Sequence, residues 1–111
     1  MIEGRKILIA ADAGIAIQSS GDVSRAIGTC LGTDGLILAE TDLSPEFFDL
    51  RTGLAGELFQ KLINYRIPVA IVLPDPDAYG ERFSELAREH SSHGIVRFVR
   101  SLNEATEWLS E

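Results

Sequence analysis

The chain is poor in the features that most often name a protein's chemistry. It has one cysteine, Cys30, in 111 residues, so no internal disulfide can form and a reducing compartment is favoured. No apolar run approaches the ~20 residues needed to cross a bilayer. The opening residues include Glu3 and Arg5 and lack an apolar core, so they do not read as a signal peptide. A cytoplasmic protein with no membrane partner is therefore expected. Ile2-Glu3-Gly4-Arg5 spells a protease recognition sequence common in expression vectors. Residues 1–5 are expected to be a flexible or vector-derived lead and are set aside from functional inference. Positive charge is also scarce: ten Lys and Arg face seventeen Asp and Glu, a net charge of −7. Such a chain repels phosphate backbones, which argues against nucleic acid as a partner. There is no P-loop and no G-x-G-x-x-G, and neither His90 nor His93 has a companion at metal-ligand spacing. No catalytic set, cofactor or metal is assigned.

What is present is the composition of one small globular domain spanning residues 1–111, 45% hydrophobic and 24% charged. Residues 6–11 form an apolar, β-branched run that predicts a strand. Asp12-Ala13-Gly14 predicts a turn and residues 15–18 a second strand, together an N-terminal hairpin. Val23, Ala26, Ile27, Cys30 and Leu31 then fall at helical spacing, ended by Gly32 and Gly35. Residues 36–39 read as a strand covered on both sides. Ser44-Pro45 reads as a helix cap and first-turn proline before a short turn at 46–50. The main helix is expected over about residues 53–66. Leu54, Leu58, Phe59, Leu62 and Ile63 give it a wide apolar stripe, with Glu57, Gln60, Lys61 and Asn64 opposite. A strand at 69–73, an acidic loop, a helix carrying Phe83 and Ala87, a strand at 95–99 and a helix opened by Ser101-x-x-Glu104 complete the chain. The order is β-β-α-β-α-β-α-β-α, an α/β class with a mixed sheet.

In such sheets ligands gather beyond the carboxyl ends of the strands, where the loops at 40–51, 74–80 and 100–101 are expected to converge. Arg51-Thr52-Gly53 sets a guanidinium, a hydroxyl and backbone N–H groups at the start of the main helix, an arrangement that attracts anions. Two readings of Thr52 stand side by side. It is either the cap of the helix, with Gly53 allowing close packing, or a phosphorylation site or phosphate contact. Asp42, Asp49 and Asp75 are either solvated loop acids or, with Arg51 and Thr52, the lining of a small-molecule or enzyme site. Glu57, Asn64, Tyr65 and Arg66 extend a polar stripe to the far end of the helix. That stripe is either a solvated face or a partner-docking or ligand-facing surface, and Asp49 to Asn64 are the expected contact surface for a protein partner, a second copy of the chain included.

The stretch from Phe47 to Glu57, followed by Gln60-Lys61, Asn64-Tyr65-Arg66 and Val69-Ala70-Ile71-Val72, resembles the bacterial family called domain of unknown function 4180. The match continues more loosely through Arg97-Phe98-Val99 and Ser101-Leu102. At a coarser level the layout is similar to the STAS domain of anti-sigma-factor antagonists, in which a serine at the turn opening a helix is phosphorylated by a partner kinase. Thr52-Gly53-Leu54-Ala55 can be laid on that turn, although Asp49 stands one residue further away than the pattern asks and Ala55 replaces a glycine. This resemblance implies a STAS-like layered fold and a regulatory, partner-binding switch rather than an enzyme.

Overall fold

The computed structural model describes residues 6–111; the expectation for residues 1–5 lies outside them. Four short runs rich in aliphatic residues become strands β1 (Ile7–Ile9), β2 (Gly35–Ala39), β3 (Val69–Val72) and β4 (Val96–Val99). They pair side by side in chain order, every pair parallel. Among the described residues six helices accompany them: α1 (Ala10–Ala13), α2 (Ser20–Cys30), α3 (Pro45–Phe48), α4 (Leu54–Asn64), α5 (Glu81–Glu89) and α6 (Leu102–Leu109). The result is a small compact α/β domain with a radius of gyration of 12.8 Å.

Side chains alternate across a strand, and this sheet divides its core accordingly. Leu36, Leu38, Val69, Ile71, Val96 and Phe98 point to one face and are buried by α2, α4 and α5. Ile37, Ala70 and Val99 point to the other, where α6 covers them with Ala105 and Leu109. Strands laid down in chain order by right-handed crossovers send every crossover helix to the same face. Helix α6 follows β4, no strand comes after it among the described residues, and it takes the other face. There Arg97 lies over the ring of Trp108, its guanidinium carbon 4.5 Å from the ring centroid, and donates to the carbonyls of Ser92 and His93.

The expected N-terminal hairpin is not formed, and the sheet is all parallel rather than mixed. The chain leaves β1 directly into the helical turn α1, which Gly14 closes with φ 72° and an N–H directed at the Ala10 and Ala11 carbonyls. Ile15 and Ile17 do alternate and are buried, but the pattern serves core filling and not a ladder. Ile17 makes a single parallel bridge to Leu43, its N–H donating to Asp42 O while Ser44 N–H donates to Ile17 O.

The turn expected at 46–50 is helix α3 followed by a tight 3-10 turn, Leu50–Thr52. Ser44 stands at the start of α3 with Pro45 in its first turn, yet its buried hydroxyl has no hydrogen-bond partner among the described residues. The Ser101 cap forms as expected: its hydroxyl accepts from Glu104 N–H, while the Glu104 carboxylate accepts from Arg100 N–H. His90 and His93 are turn-builders. His90 Nδ1 lies 2.9 Å from Val96 O, and His93 Nδ1 accepts from the amides of Ile95 and Val96. Cys30 is fully buried at the end of α2, and burial pushes its thiol pKa up.

The wide stripe of α4 is spent on the core. Leu54, Ala55, Leu58, Phe59 and Leu62 are buried, and the exposed apolar surface remaining there is Ile63 and, just past the helix end, Tyr65. Behind α4 an aromatic cluster centres on Phe83, whose ring meets Phe47, Phe48, Tyr79 and Phe98 with centroids 5.1 to 6.2 Å apart. Phe83→Ala leaves a cavity that four rings cannot readily close, and is expected to cost about 3–5 kcal/mol. Urea unfolding followed by far-UV circular dichroism measures this, and a loss below about 1 kcal/mol would contradict the packing described.

Candidate functional site

Two corners at the carboxyl ends of the strands hold charged side chains in defined geometry. The first joins α3 to α4. Asp49 accepts from Arg51 three times: from its backbone N–H at 3.1 Å, from Nε at 3.0 Å and, through the other carboxylate oxygen, from Nη2 at 3.1 Å. This bidentate pair is the sequence-local product of an Asx turn two residues before the guanidinium. It holds the Asp49 carboxyl below the usual carboxylate range, chiefly through the Arg51 side-chain bonds and then through the Arg51 N–H, and it pushes Arg51 up.

Thr52 is exposed, but its hydroxyl is fully employed. Oγ1 lies 2.7 Å from Glu46 O and 2.9 Å from Asp49 O, so its one proton is shared between two carbonyls. It also accepts from Leu54 N–H at 3.3 Å. Gly53, at φ 79°, turns the chain from the 3-10 turn into α4, a conformation glycine adopts without steric cost. The amides of Arg51, Thr52, Gly53 and Leu54 are spent on Asp49 Oδ1, Asp49 O, Leu50 O and Thr52 Oγ1. The N-cap of α4 is Gly53 and not Thr52 as the first reading expects; Thr52 stands one residue earlier, and the donors just before Leu54 turn inward to the corner itself.

The other expected site residues are dispersed. Asp42 is half-buried and accepts from Ala39 N–H at 2.8 Å, closing the turn after β2. Glu57 accepts from Ser20 Oγ at 2.7 Å and ties α4 to α2. Asn64 ends α4 about 15 Å from Leu54 at 1.5 Å rise per residue, and Tyr65 and Arg66 follow it just past the helix. Arg66 takes a left-handed conformation, φ 55°. Arg66 N–H donates to Ile63 O and Ile67 N–H to Leu62 O, a Schellman termination with arginine in the position usually held by glycine. Asp75 accepts from Asp77 N–H and Asp77 from Ser84 Oγ. Among the described residues no three His, Cys, Asp or Glu side chains gather as a metal site.

Asp49 and Arg51 line an open groove of about 590 Å³ against Tyr79 and Arg82; Asp42, Thr52 and Asp75 are not part of it. Beside it, Tyr79 stacks on Phe48 with centroids 3.8 Å apart and planes 7° from parallel, and its hydroxyl donates to Glu40. That stack closes the space between the exits of β2 and β3. The second corner, between the exits of β3 and β4, stays open as a cavity of about 250 Å³. Its charged residues include Arg88 and Arg100. The sequence places the loop at residues 100–101 near the strand ends, but it gives no signal for Arg88, because the polar side of α5 carries charges along its whole length.

The acid behaviour of the first corner is testable. Asp22, lowered first by a hydrogen bond from Gln18 N–H and then by Arg25, behaves like Asp49. A carboxyl whose folded value is depressed contributes stability above its unfolded value of about 3.9 and loses it as pH falls through the folded value. The urea midpoint is expected to change little between about pH 5 and 7 on account of these two groups, then to fall below about pH 4. The double variant Asp22→Asn/Asp49→Asn is expected to fall less steeply in the same acid range. An unchanged acid slope in that variant would show that the two carboxylates are not held as described.

Comparison with curated proteins and with solved structures returns no match. The sequence model of a family described as "Domain of unknown function (DUF4180)" matches residues 2–109, nearly the whole length. The chain therefore belongs to the DUF4180 family.

Proposed function

We propose that the protein is a small regulatory module for a protein partner, STAS-like in that a hydroxyl at the opening turn of a helix serves as its switch. The observation that supports this is the position of Thr52. An exposed hydroxyl holds the α3–α4 junction together with its own proton and lone pair, and Arg51 stands next to it. Transfer of the γ-phosphoryl group from a nucleoside triphosphate by a partner kinase would form the Oγ1–P bond, break the bond from that phosphorus to the bridging oxygen, and release the nucleoside diphosphate and the hydroxyl proton. The hydrogen bonds to Glu46 O and Asp49 O then have no donor. The phosphate brings a charge of about −1.5 to −2 to the start of α4, where it competes with Asp49 for the Arg51 guanidinium. In the hydroxyl form α3 is tied to α4, and in the phosphorylated form that tie is cut. The surface that changes, residues 46–57, is the one offered to a partner, and a second copy of the chain is one such partner.

Two measurements test this reading. Thr52→Val keeps the side-chain shape and removes the hydroxyl, and is expected to lower stability by about 1–2 kcal/mol in urea unfolding. Affinity capture from the native host with wild type, Thr52→Ala and Thr52→Glu is expected to give different partner sets for the neutral and charged forms. Identical partners for all three proteins would sink the switch.

A further inference from the structure

We infer that the cavity between the exits of β3 and β4 is a binding site for a small hydroxylated oxyanion, a short-chain phosphate ester or hydroxy acid, with Arg88 and Arg100 as its anion-binding pair. The fold itself opens this space. β3 leaves through Leu73 and Pro74 towards α5 on one face of the sheet, whereas β4 leaves through Arg100 and Ser101 towards α6 on the other. Adjacent strands whose exits diverge to opposite faces leave a crevice at their carboxyl ends, the usual ligand position in open parallel sheets. The corresponding gap between β2 and β3, whose exits share one face, is filled by the Tyr79–Phe48 stack and the Tyr79–Glu40 hydrogen bond.

The walls of the crevice are chemically divided. Arg88 comes from the last turn of α5. Arg100 follows β4 and donates through Nη1 to Pro74 O across the mouth, at 3.1 Å. Among the described residues neither guanidinium has a carboxylate at ion-pair distance, in contrast to Arg25 and Arg51. Two guanidinium groups without a carboxylate at ion-pair distance thus line one crevice together with the Asp77 carboxylate, and planar forks of this kind suit carboxylate and phosphate.

The remaining polar wall accepts rather than donates. Ser84 Oγ gives its proton to Asp77 Oδ1 or Gly80 O, and Ser91 Oγ gives its proton to Arg88 O. What faces the crevice there is hydroxyl lone pairs and the Asp77 carboxylate, which call for hydroxyl donors on the ligand. Phe98 supplies an apolar surface for a short carbon stem. The volume of about 250 Å³ lies below the roughly 300–1,000 Å³ of sites for drug-sized ligands, a size that suits an occupant of a few carbons.

The test is an amide chemical-shift titration of the full-length protein with inorganic phosphate, glycerol 3-phosphate, ethyl phosphate and malate, at ionic strength held constant with chloride. Saturable shifts at Ser84, Ser91 and Arg100 are expected with glycerol 3-phosphate, malate or both, and the stronger of the two reports whether the tetrahedral or the planar oxyanion is preferred. Glycerol 3-phosphate is expected to bind more tightly than ethyl phosphate, which carries the same charge without hydroxyls. Arg88→Gln and Arg100→Gln are each expected to weaken binding by about tenfold or more. Arg25→Gln removes the same charge from a distant helix and is expected to leave affinity unchanged. The inference is overturned by any of three results: no saturable shift with any of the four probes, an affinity indifferent to both crevice arginines, or an equal loss in Arg25→Gln. Equal affinity for ethyl phosphate and glycerol 3-phosphate would overturn the assignment of the accepting wall.

Discussion

A parallel sheet must be buried on both faces, and this chain supplies three long helices for one face and a single helix for the other. Everything distinctive about the molecule follows from how that imbalance is met. The sheet is four strands wide, with neighbours spaced about 4.8 Å apart, and α6 lies over the middle of its second face on Ile37, Ala70 and Val99. Close approach is secured at Gly35, where a Cβ would stand 3.0 Å from a Leu109 methyl and 3.2 Å from Pro68 O. Arg97 completes the layer by placing its guanidinium over the Trp108 ring, with its charged end bonded to two backbone carbonyls. A long side chain with an apolar stem and a charged tip covers sheet surface that a second helix would otherwise cover.

The same imbalance distributes the strand exits. Exits that share a face crowd together, and here aromatic rings fill the space between them. The exit that changes face leaves room. The two corners at the carboxyl ends thus differ in kind. At the α3–α4 corner, charge and hydroxyl groups are satisfied locally, Asp49 by Arg51 and Thr52 by two carbonyls and an amide. At this corner the Thr52 proton serves the Glu46 and Asp49 carbonyls, while the Asp49–Arg51 pair and the turn amides hold independently of it. Between β3 and β4 the two guanidinium groups have no carboxylate at ion-pair distance among the described residues, and the crevice stays open.

Much of this architecture is legible in the sequence. The helical spacing of Val23, Ala26, Ile27 and Cys30, the stripe of α4 and the Ser101–Glu104 cap all read directly, because each is a local pattern with a local cause. The failed hairpin shows where local reading stops. Ile15 and Ile17 alternate as a strand does, but the helical turn α1 carries the chain away from the outer edge of β1 and sets Ile17 beside Leu43 instead. The positions of Asp49, Arg51 and Thr52 at the opening of a helix were legible, whereas the inward direction of the Thr52 proton was not, since it depends on the course of α3. Arg88 and Arg100 come together only because α6 crosses to the second face. No periodicity in the chain encodes that choice; among the described residues no strand follows α6 to hold it to the first face.

Docking of α6 against the second face is therefore the central claim, and Trp108, the one tryptophan of the chain, sits on that helix beside Arg97. Urea unfolding followed in parallel by tryptophan fluorescence and by far-UV circular dichroism tests it directly. If α6 is an integral layer of the sheet, the two transitions share one midpoint, as a single cooperative unit requires. A fluorescence transition completed at lower urea, with the circular dichroism of the remaining structure intact, would mean that α6 is an appendage, and the crevice its crossing opens would lose its cause.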